Sequence, residues 1–424
     1  MIHTIKKFFP QSIKNVYHWV QAFLACLKYN FPSKKLKVIG VTGTDGKTTT
    51  ANMIAHILEK AEKRFALAST INFRINNEEQ VNTTKYTTLS SFEVQKFLKK
   101  AVDAGCEYVI LEVSSHALDQ NRLWGIHFDI AVLTNITREH LDYHKTMKQY
   151  RRAKRKLFEN ADVVVVNEAI ENISEFLTVS SLEKITYGIK PKKRYGKEEY
   201  TQAKSIKSSL SGSSFFVEDE KFYLSLPGIF NIENALASIA VGNVLDIDPK
   251  ISSEALADIS GIPGRMESIA NDRGIHIILD YAVTPEALEK IYTLISHSKS
   301  KTKSKIIAVF GACGDRDRGK RPIMGSIVDM YADVIILTNE DPYWEDPHQI
   351  FKEITQGITQ KQREQNFFVI FDRRKAIDQA LSLAKSGDYV VITGKGAEET
   401  MMMRGKMIPW SDKKIIEELL TLKK

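Results

Sequence analysis

Hydrophobic positions follow a repeating pattern along the chain, and that pattern predicts the order of its elements. Apolar, β-branched runs at 38–42, 108–115, 129–136 and 162–168 are short, and segments with helical spacing lie between them. Strands that are apolar throughout and separated by helices are typical of a parallel sheet covered on both faces. A second series with the same pattern begins near Ile275 and predicts a second α/β unit. Its predicted strands are 276–282, 305–312, 332–339, 367–371 and 388–396.

The stretch between these two series has a different character. Short segments within 185–226 predict hairpin-like strands, and residues 226–245 return to a helical pattern. The Pro263-Gly264 step that follows is typical of a linker. We therefore expect an N-terminal segment at 1–36, a central domain at 37–262 and a C-terminal domain at 263–424.

The N-terminal segment carries its own apolar pattern. Residues 12–29 predict an amphipathic helix, which we expect to pack on the following domain, with a membrane surface as the alternative. Its apolar positions at helical spacing are Ile13, Val16, Trp19, Val20, Phe23, Leu24 and Leu27.

Composition narrows the class of protein. The 424 residues are 43% hydrophobic and 26% charged, which is typical of a soluble globular chain with two or three domains. A net charge of +8 is spread along the sequence, which favours anionic small substrates over nucleic acid or a membrane surface. The three cysteines fit neither a disulfide framework nor a metal site. With no signal peptide and no apolar run of about 20 residues, we expect a cytoplasmic protein.

A glycine-rich turn is the strongest chemical signal. Residues 43–49 (GTDGKTT) follow a predicted strand and open a predicted helix, which is the context of a phosphate-binding loop. Backbone N–H groups there can face an anion, Lys47 can reach the β- and γ-phosphates, and Thr48 can bind Mg²⁺. The spacing departs from the common pattern, since Gly40 lies one residue too far from Gly46. The loop alone predicts only a nucleoside triphosphate, as in a switch protein or a motor.

Nine segments in order resemble the motifs of the Mur ligase family. The resemblance runs from about Val38 to about Trp410 and is closest to the UDP-N-acetylmuramoyl-tripeptide synthetase (MurE-type) branch. The segments are GTDGKTTT (43–50), EVSSHAL (112–118), TNITREHLDYH (134–144), YRRAKRKLF (150–158), LPGIFNIENALA (226–237), PGRME (263–267), DYAVTP (280–285), GDRDRGKRP (314–322) and GKGAE (394–398).

The resemblance implies a fold and a reaction. The fold is α/β, with a central doubly wound P-loop domain of mostly parallel sheet and a C-terminal Rossmann-like domain that binds the amino acid. The reaction is ATP-dependent amide formation: an acceptor carboxylate becomes an acyl phosphate, which an amine then attacks. The process implied is peptidoglycan precursor synthesis, and with it cell wall biogenesis, cell shape and cell division.

The resemblance also assigns roles to residues. Lys47, Glu112, His140 and Lys154 are the implied catalytic residues. Two Mg²⁺ ions would be bound by Thr48, Glu112, His140 and Lys154, the last as a carbamylated lysine. Asp280 would bind the ribose of ATP, and Tyr281 would lie near the base.

The implied ATP-binding residues are Gly43, Thr44, Asp45, Gly46, Lys47, Thr48, Thr49, Asn234, Arg265, Asp280 and Tyr281. The implied substrate-binding residues are Thr87, Thr88, Ser114 and Arg122 for the acceptor and Arg316, Glu340, Asp341, Tyr343, Gly394 and Glu398 for the amino acid. The partners are thus small molecules: an acidic acceptor, with UDP-muramoyl-dipeptide as one candidate, and an amino acid. We expect a monomer.

The sequence departs from the family pattern in four places. Only about 37 residues precede the first strand, where the family carries a uridine-binding domain, so that domain is expected to be missing or reduced and the presence of UDP on the acceptor stays open. The amino-acid signature DNPR reads EDPY at 340–343, so Tyr343 replaces an arginine that could clamp a carboxylate. Diaminopimelate is then one option and a diamino acid such as lysine another. Val283 and Ala397 replace family histidines.

Two other functions are kept as alternatives. One is a folylpolyglutamate synthase-like or other amino-acid-adding ligase, since those relatives also lack the uridine domain. The other is a nucleotide-binding homologue that no longer ligates. Retention of Lys47, Glu112, His140, Lys154 and Arg265 favours an active ligase.

Overall fold

The structure, a computed structural model, describes residues 10–190, 198–299 and 304–422. The first nine residues of the predicted N-terminal segment and residues 191–197 of the predicted hairpin region lie outside it. Within the described residues the chain forms two large sheets and one two-stranded ribbon.

The first sheet has eleven strands among the described residues, in the order β11-β10-β9-β8-β7-β6-β1-β5-β2-β3-β4. Strands β2, β5, β1, β6, β7, β8 and β9 run parallel, and antiparallel hairpins extend both edges. The strands are β1 (Lys37–Thr42), β2 (Phe65–Ala68), β3 (Asn72–Ile75), β4 (Glu78–Val81), β5 (Tyr108–Glu112), β6 (Phe128–Leu133), β7 (Ala161–Asn167), β8 (Glu183–Gly188), β9 (Glu199–Ser209), β10 (Gly212–Val217) and β11 (Glu220–Leu224).

The second sheet has six strands in the described part of the chain, in the order β12-β13-β17-β14-β15-β16. All its neighbours are parallel except β12 and β13. The strands are β12 (Glu267–Ile269), β13 (His276–Asp280), β14 (Ile306–Phe310), β15 (Val334–Leu337), β16 (Phe367–Val369) and β17 (Tyr389–Thr393), and the ribbon is β18 (Thr400–Met403) and β19 (Lys406–Pro409).

Helices cover both faces of each sheet, with short 3₁₀ turns at Pro32–Lys35 and Arg318–Lys320. The first unit has α1 (Gln11–Tyr29), α2 (Lys47–Lys60), α3 (Ser91–Asp103), α4 (Ser115–Asp119), α5 (Leu141–His144), α6 (Met147–Phe158), α7 (Ser174–Leu177), α8 (Ile229–Val244) and α9 (Pro249–Ala257). The second unit has α10 (Pro285–Lys299), α11 (Arg321–Tyr331), α12 (Pro347–Thr355), α13 (Arg373–Leu383) and α14 (Asp412–Leu422).

The alternating strands and helices confirm the predicted α/β class with mostly parallel sheets. Residues predicted as strand at 113–115, 311–312 and 394–396 lie beyond the strand ends, because there the chain leaves the sheet and presents polar groups. The hairpin β3–β4 was not predicted, since β4 is exposed throughout and only its last residue is apolar. The proposed boundary at 262/263 falls between the two sheets and the one at 36/37 falls just before β1, and both stay predictions.

Packing on the two faces explains why the strands are apolar throughout. On one face α2, α8 and α9 bury residues such as Ile54, Leu236 and Leu256 against the first sheet. On the other face α3 and α6 bury Leu98 and Leu157. Parallel strands that are covered twice need apolar side chains at successive positions, which is what the sequence shows in β1, β5 and β6.

Helix α1 lies on the first unit, but through a different face from the one predicted. Its small side chains Ala22, Ala25 and Cys26 are buried, with α3 as the neighbouring helix. Ile13 and Val16, by contrast, are more than half exposed. Small residues allow close approach to the neighbouring helix, so the larger apolar side chains turn outward. No helix in the described ranges combines the length and hydrophobicity needed to cross a membrane.

A buried ion pair holds the C-terminal helix to the second sheet. The Arg373 guanidinium donates to both carboxylate oxygens of Asp412, at 2.9 and 2.7 Å, and to the carbonyl oxygens of Asn339 and Thr393. Both side chains of the pair are at most 1% exposed. The neighbouring Arg374 forms a comparable pair with Glu418 in solvent.

These two adjacent arginines give a matched test of stability. We expect Arg373→Ala to lower the free energy of unfolding by about 3–5 kcal/mol, because it leaves the Asp412 charge buried without its cationic partner. Arg374→Ala should cost less than about 1 kcal/mol. Urea denaturation of both variants measures the difference, and equal losses would contradict this account of the pair.

Candidate active site

The glycine-rich turn joins β1 to α2 at the carboxyl edge of the first sheet. Gly46 caps α2 with φ 81°, a left-handed conformation that favours glycine. A Cβ atom there would lie 2.3 Å from Oδ1 of Asn234, a residue of α8. The requirement for glycine thus comes from backbone conformation and from the close approach of α8. The N-terminus of α2 is left facing the cleft, where an anion can bind.

Two lysines meet at one backbone oxygen in this turn. Lys47 Nζ donates to the Gly43 carbonyl at 3.1 Å and to the Thr44 carbonyl at 2.6 Å. Lys154 Nζ, which comes from α6, donates to the same Gly43 carbonyl at 2.7 Å. The sequence separates these residues by more than a hundred positions, and the fold brings the two amines together beneath the loop.

The two lysines strongly affect each other's charge. Lys154 is 1% exposed, and burial together with the Lys47 ammonium holds the pKa of Lys154 well below its ordinary value. Burial also lowers the pKa of Lys47, although Glu112 and Asp45 oppose that shift. Lys154 is therefore the amine that loses its proton more easily, and a neutral amine is a nucleophile.

Glu112 ends β5 and is 1% exposed. Its carboxylate accepts hydrogen bonds from the Thr70 backbone N–H at 3.0 Å and the Thr70 hydroxyl at 2.8 Å. Thr70 lies in the turn between β2 and β3 and lines the cleft. No sequence pattern singles out Thr70, because its role depends on a hairpin that the hydrophobic pattern does not reveal.

His140 follows β6 and has a left-handed backbone, with φ 57°. Its Nδ1 finds no hydrogen-bond partner among the described residues, and its ring packs edge-on against His116 at 4.7 Å. Burial and then His116 hold the pKa of His140 well below its ordinary value. The imidazole is therefore neutral at physiological pH, and a neutral imidazole can bind a metal ion.

The side chains that could bind a metal ion at this turn suit an Mg²⁺ ion that is also bound by substrate phosphates. A hydroxyl (Thr48), a carboxylate (Glu112) and a free imidazole nitrogen (His140) adjoin the turn, while no group of three His, Cys, Asp or Glu side chains within the described residues forms a metal cage. Mg²⁺ is usually held by one or two protein groups together with substrate phosphates, so an incomplete set of protein ligands fits.

The second unit closes the cleft from the other side. Arg265 Nη2 donates to the Thr48 hydroxyl at 3.2 Å, and the Arg265 guanidinium lies 4.6 Å from the centre of the Tyr281 ring. Thr284 donates to Asp45 Oδ2 at 3.2 Å. These contacts join residues more than 200 positions apart and bring two of the predicted nucleotide residues of the second unit to the loop.

Asp280 lines the cleft, but its carboxylate already accepts hydrogen bonds from two backbone N–H groups. Oδ2 accepts from the Met266 N–H and Oδ1 from the Ala282 N–H, both at 2.7 Å. Burial raises the pKa of Asp280 to about 6. Its ribose-binding role stays a prediction, and in the described structure the side chain orders the strand end on which Tyr281 lies.

The cleft is an open space of about 1190 Å³, including solvent. Ten of the eleven predicted ATP-binding residues line it, the exception being Gly43, and His140 and Thr87 line it too. Lys154 and Glu112 lie behind the lining: Glu112 accepts from the lining residue Thr70, and Lys154 shares the Gly43 carbonyl with the lining residue Lys47. Val283, at the family histidine position, lines the wall and its carbonyl accepts from Lys320 at 2.8 Å.

A buried ion pair between the units was not predicted. Lys320 Nζ donates to both carboxylate oxygens of Glu139, at 3.0 and 3.1 Å, and Lys320 is 3% exposed. Both residues lie within motifs that resemble the Mur ligase family, so the sequence indicates each of them separately. The sequence does not indicate that they pair, because pairing depends on how the second unit sits against the first.

The four predicted acceptor residues form one hydrogen-bonded group. Thr88 donates to the Glu112 carbonyl at 2.9 Å and accepts from the Ser114 N–H at 2.8 Å. Arg122 donates to the Thr88 carbonyl at 3.3 Å, and Thr87 accepts from the Thr70 hydroxyl at 3.2 Å. This group therefore adjoins the Glu112 strand end.

Two of the residues predicted to bind the amino acid, Asp341 and Glu398, belong to a network of ion pairs, and Glu398 also lines a pocket. Asp341 pairs with Lys395 at 3.0 Å and with Lys85 of the first unit at 2.8 Å, and Glu398 pairs with Lys395. Glu398 lines a smaller pocket of about 460 Å³ that shares Thr70, Arg265 and Tyr281 with the main cleft, and Ala397 lines it as well. Lys85 and Lys395 were not predicted to be functional residues. Lys395 stands in a quoted motif, whereas Lys85 lies in a loop without any pattern.

The other four residues predicted to bind the amino acid complete this region. The Arg316 guanidinium lies 5.5 Å from the Tyr343 ring, where the sequence predicted an amino-acid contact. Glu340 is 2% exposed, accepts from the Cys313 thiol at 2.9 Å, and would lie 2.7 Å from a Cβ at Gly394. Glu340 and Gly394 therefore pack against each other inside the second unit.

Comparison with known protein families identifies both units. Residues 41–242 match the Mur ligase middle domain, and residues 264–396 match the Mur ligase glutamate ligase domain. The two matches fall on the first and second sheets, and between them they contain nearly all the cleft residues described above.

Full-length relatives agree with this assignment. The chain is 38% identical over 408 residues to a UDP-N-acetylmuramoyl-L-alanyl-D-glutamate–2,6-diaminopimelate ligase of Syntrophomonas wolfei, covering 94% of this chain and 81% of the relative. It is 39% identical over 397 residues to the ligase of that name from Caldanaerobacter subterraneus, covering 92% and 80%.

Solved structures show the same architecture. A structure of a UDP-N-acetylmuramoyl-L-alanyl-D-glutamate–2,6-diaminopimelate ligase is 31% identical with a TM-score of 0.60, covering 92% of this chain and 79% of that one. Folylpolyglutamate synthase of Mycobacterium tuberculosis, complexed with ADP, has a TM-score of 0.71 at 16% identity, covering 89% and 91%, and shares the fold. By its sequence over both units and by its fold, the chain belongs to the Mur ligase family of ATP-dependent ligases.

Proposed function

We propose that this ligase adds an amino acid to the free carboxylate of a UDP-muramoyl-dipeptide during peptidoglycan precursor synthesis. The observation that carries the proposal is the arrangement at the neighbouring ends of β1 and β5, which place the two lysines at Gly43 near Glu112 and the group formed by Thr88, Ser114 and Arg122. Relatives at 38% and 39% identity are ligases of such an acceptor.

The residues divide the reaction between the two units. Lys47 and the N–H groups of the glycine-rich turn hold the transferred phosphate, and Arg122 with Thr87 and Thr88 holds the acceptor carboxylate against it. Carboxylate oxygen attacks the γ-phosphorus, ADP leaves, and an acyl phosphate forms. The amine, delivered from the Glu398 side, attacks the acyl carbon, and inorganic phosphate leaves. Mg²⁺, bound through Thr48, Glu112 and His140, would neutralise charge on the phosphates.

The balance of charge supports carbamylation of Lys154. Two ammonium groups at one carbonyl repel each other, and the lowered pKa of Lys154 makes its amine available to attack CO₂. The product, a carbamate, is an anion that faces Lys47 and can coordinate a metal ion. Modification would therefore replace a repulsive contact with an attractive one.

The amino-acid side of the site favours a substrate whose distal group needs no arginine clamp. Tyr343 offers a hydroxyl and a ring where an arginine could bind a carboxylate bidentately. Near Tyr343, the carboxylates of Asp341 and Glu398 pair with Lys85. If Lys85 moves aside, they can accept hydrogen bonds from the side-chain ammonium of the incoming amino acid. We therefore propose a diamino monocarboxylic acid such as lysine ahead of diaminopimelate.

The direct test of function is phosphate release from ATP with defined substrates. Release should require both UDP-muramoyl-L-alanyl-D-glutamate and an amino acid, because neither half-reaction completes alone. Screening lysine, ornithine, diaminopimelate and glutamate identifies the amine. Release with a folate and glutamate would point to the folylpolyglutamate alternative, and no release with any pair would point to a homologue that does not ligate.

Lys154→Ala should lower kcat by at least about a hundredfold, because it removes a group that orders charge at the transferred phosphate. Arg152→Ala, an exposed residue on the same helix, is the matched control and should leave kcat unchanged. Incubation with ¹³C-bicarbonate should give a carbamate NMR signal in the wild-type protein that Lys154→Ala lacks. A wild-type protein with activity but without that signal would rule out the modification.

Tyr343→Arg should raise kcat/KM for diaminopimelate relative to lysine by about tenfold, since one charge-assisted bidentate contact is gained. Tyr343→Phe keeps the ring and should leave that ratio near its wild-type value. Steady-state rates with both amino acids measure the change. A wild-type enzyme that already uses diaminopimelate better than lysine would contradict the proposed preference.

A further inference from the structure

Helix α1 carries two apolar faces, and only one of them is used by the fold. Ala22, Ala25 and Cys26 are at most 1% exposed, and their helix packs beside α3. A second row of large apolar side chains on the opposite side is between 40% and 62% exposed. The row, called the outer row below, consists of Ile13, Val16, Val20, Leu24 and Leu27.

The outer row is continuous along the helix. Its members are spaced three or four residues apart, so they align on one face over roughly 21 Å at 1.5 Å per residue. Tyr17 and Trp19 flank it and are 53% and 39% exposed. Trp19 in turn packs edge-on against the half-exposed Trp124 with 5.6 Å between ring centres. Isolated exposed apolar residues need no explanation, whereas an aligned row beside aromatic rings does.

The charge around the outer row has a single sign. Seven lysines precede Asp45 in the sequence, and no aspartate or glutamate does. Lys28, Lys34 and Lys35 are exposed at the C-terminal end of α1 and in the turn after it. Near the other end of the helix, the Asp119 carboxylate lies 3.5 Å from Asn15. The exposed lysines beside the outer row favour a partner that combines negative charge with an apolar layer.

We infer that α1 lies on the surface of an anionic phospholipid bilayer. The outer row would enter the boundary between headgroups and acyl chains, and the lysines would face the lipid phosphates. A second copy of the chain fits this surface poorly, because pairing two outer rows would bring two sets of lysines together without opposing carboxylates. A bilayer supplies both the apolar layer and the opposite charge.

Docking in this way requires no rearrangement of the helix. Gln11 Nε2 donates to the Tyr143 hydroxyl at 2.7 Å, and that hydroxyl donates to Asp119 at 2.8 Å. These bonds fix the N-terminal end of α1 to the first unit while the outer row faces away. The row is thus presented outward by the folded protein itself.

Vesicle flotation with the full-length protein tests the inference. The wild type should float with phosphatidylglycerol–phosphatidylcholine vesicles at least about tenfold more than with phosphatidylcholine alone, and added salt should reduce that binding. The triple variant Val16→Ser, Val20→Ser, Leu24→Ser should lose at least about tenfold of the binding. Lys28→Glu, Lys34→Glu, Lys35→Glu should lose the preference for anionic lipid.

A matched control removes equally exposed apolar residues elsewhere. Leu182→Ser, Met330→Ser, Leu422→Ser alters three scattered side chains that are 66% to 88% exposed, and it should float like the wild type. Equal losses in both triple variants would overturn the inference, as would a wild type that does not float. Light scattering that shows a dimer abolished by the outer-row variant would assign this face to a second copy instead.

Discussion

The site depends on one carbonyl group. The Gly43 oxygen accepts from Lys47 of the loop and from Lys154 of α6, and so links the first helix after β1 to a helix more than a hundred residues later. Burial lowers the pKa of both amines, and the Lys47 ammonium lowers the pKa of Lys154 further. The contact therefore sets the charge balance directly beneath the glycine-rich turn.

The hydrophobic pattern was enough to predict the central strands of both sheets, because parallel strands covered on both faces are apolar at every position. It was not enough for β3 and β4, which are four residues each and carry no clear apolar period, or for the exact strand ends, where polar motif residues begin. For the same reason Thr70 was missed while Glu112 was found. One lies in the unpredicted hairpin and the other ends a strongly apolar strand.

The sequence could not predict which residues pair across the two units, and the reason is a different one. Motif positions indicated Glu139, Lys320 and Arg265 individually, but a motif does not state the relative placement of two sheets. Lys85 had no motif at all, and its contact with Asp341 exists only because the second unit sits against the loop after β4. Helix α1 is a similar case. The sequence predicted that it is an amphipathic helix, but the face that packs inward is the one with small side chains beside α3.

The bond between Arg265 and the Thr48 hydroxyl shows that this closed arrangement is held by the protein's own groups. Thr48 is the residue that would bind the metal ion of an incoming nucleotide, so the two uses of its hydroxyl compete. On the proposed function, a cation at Thr48 would compete with Arg265 for the hydroxyl oxygen. Nucleotide occupancy would then be coupled to the contact that joins the two units.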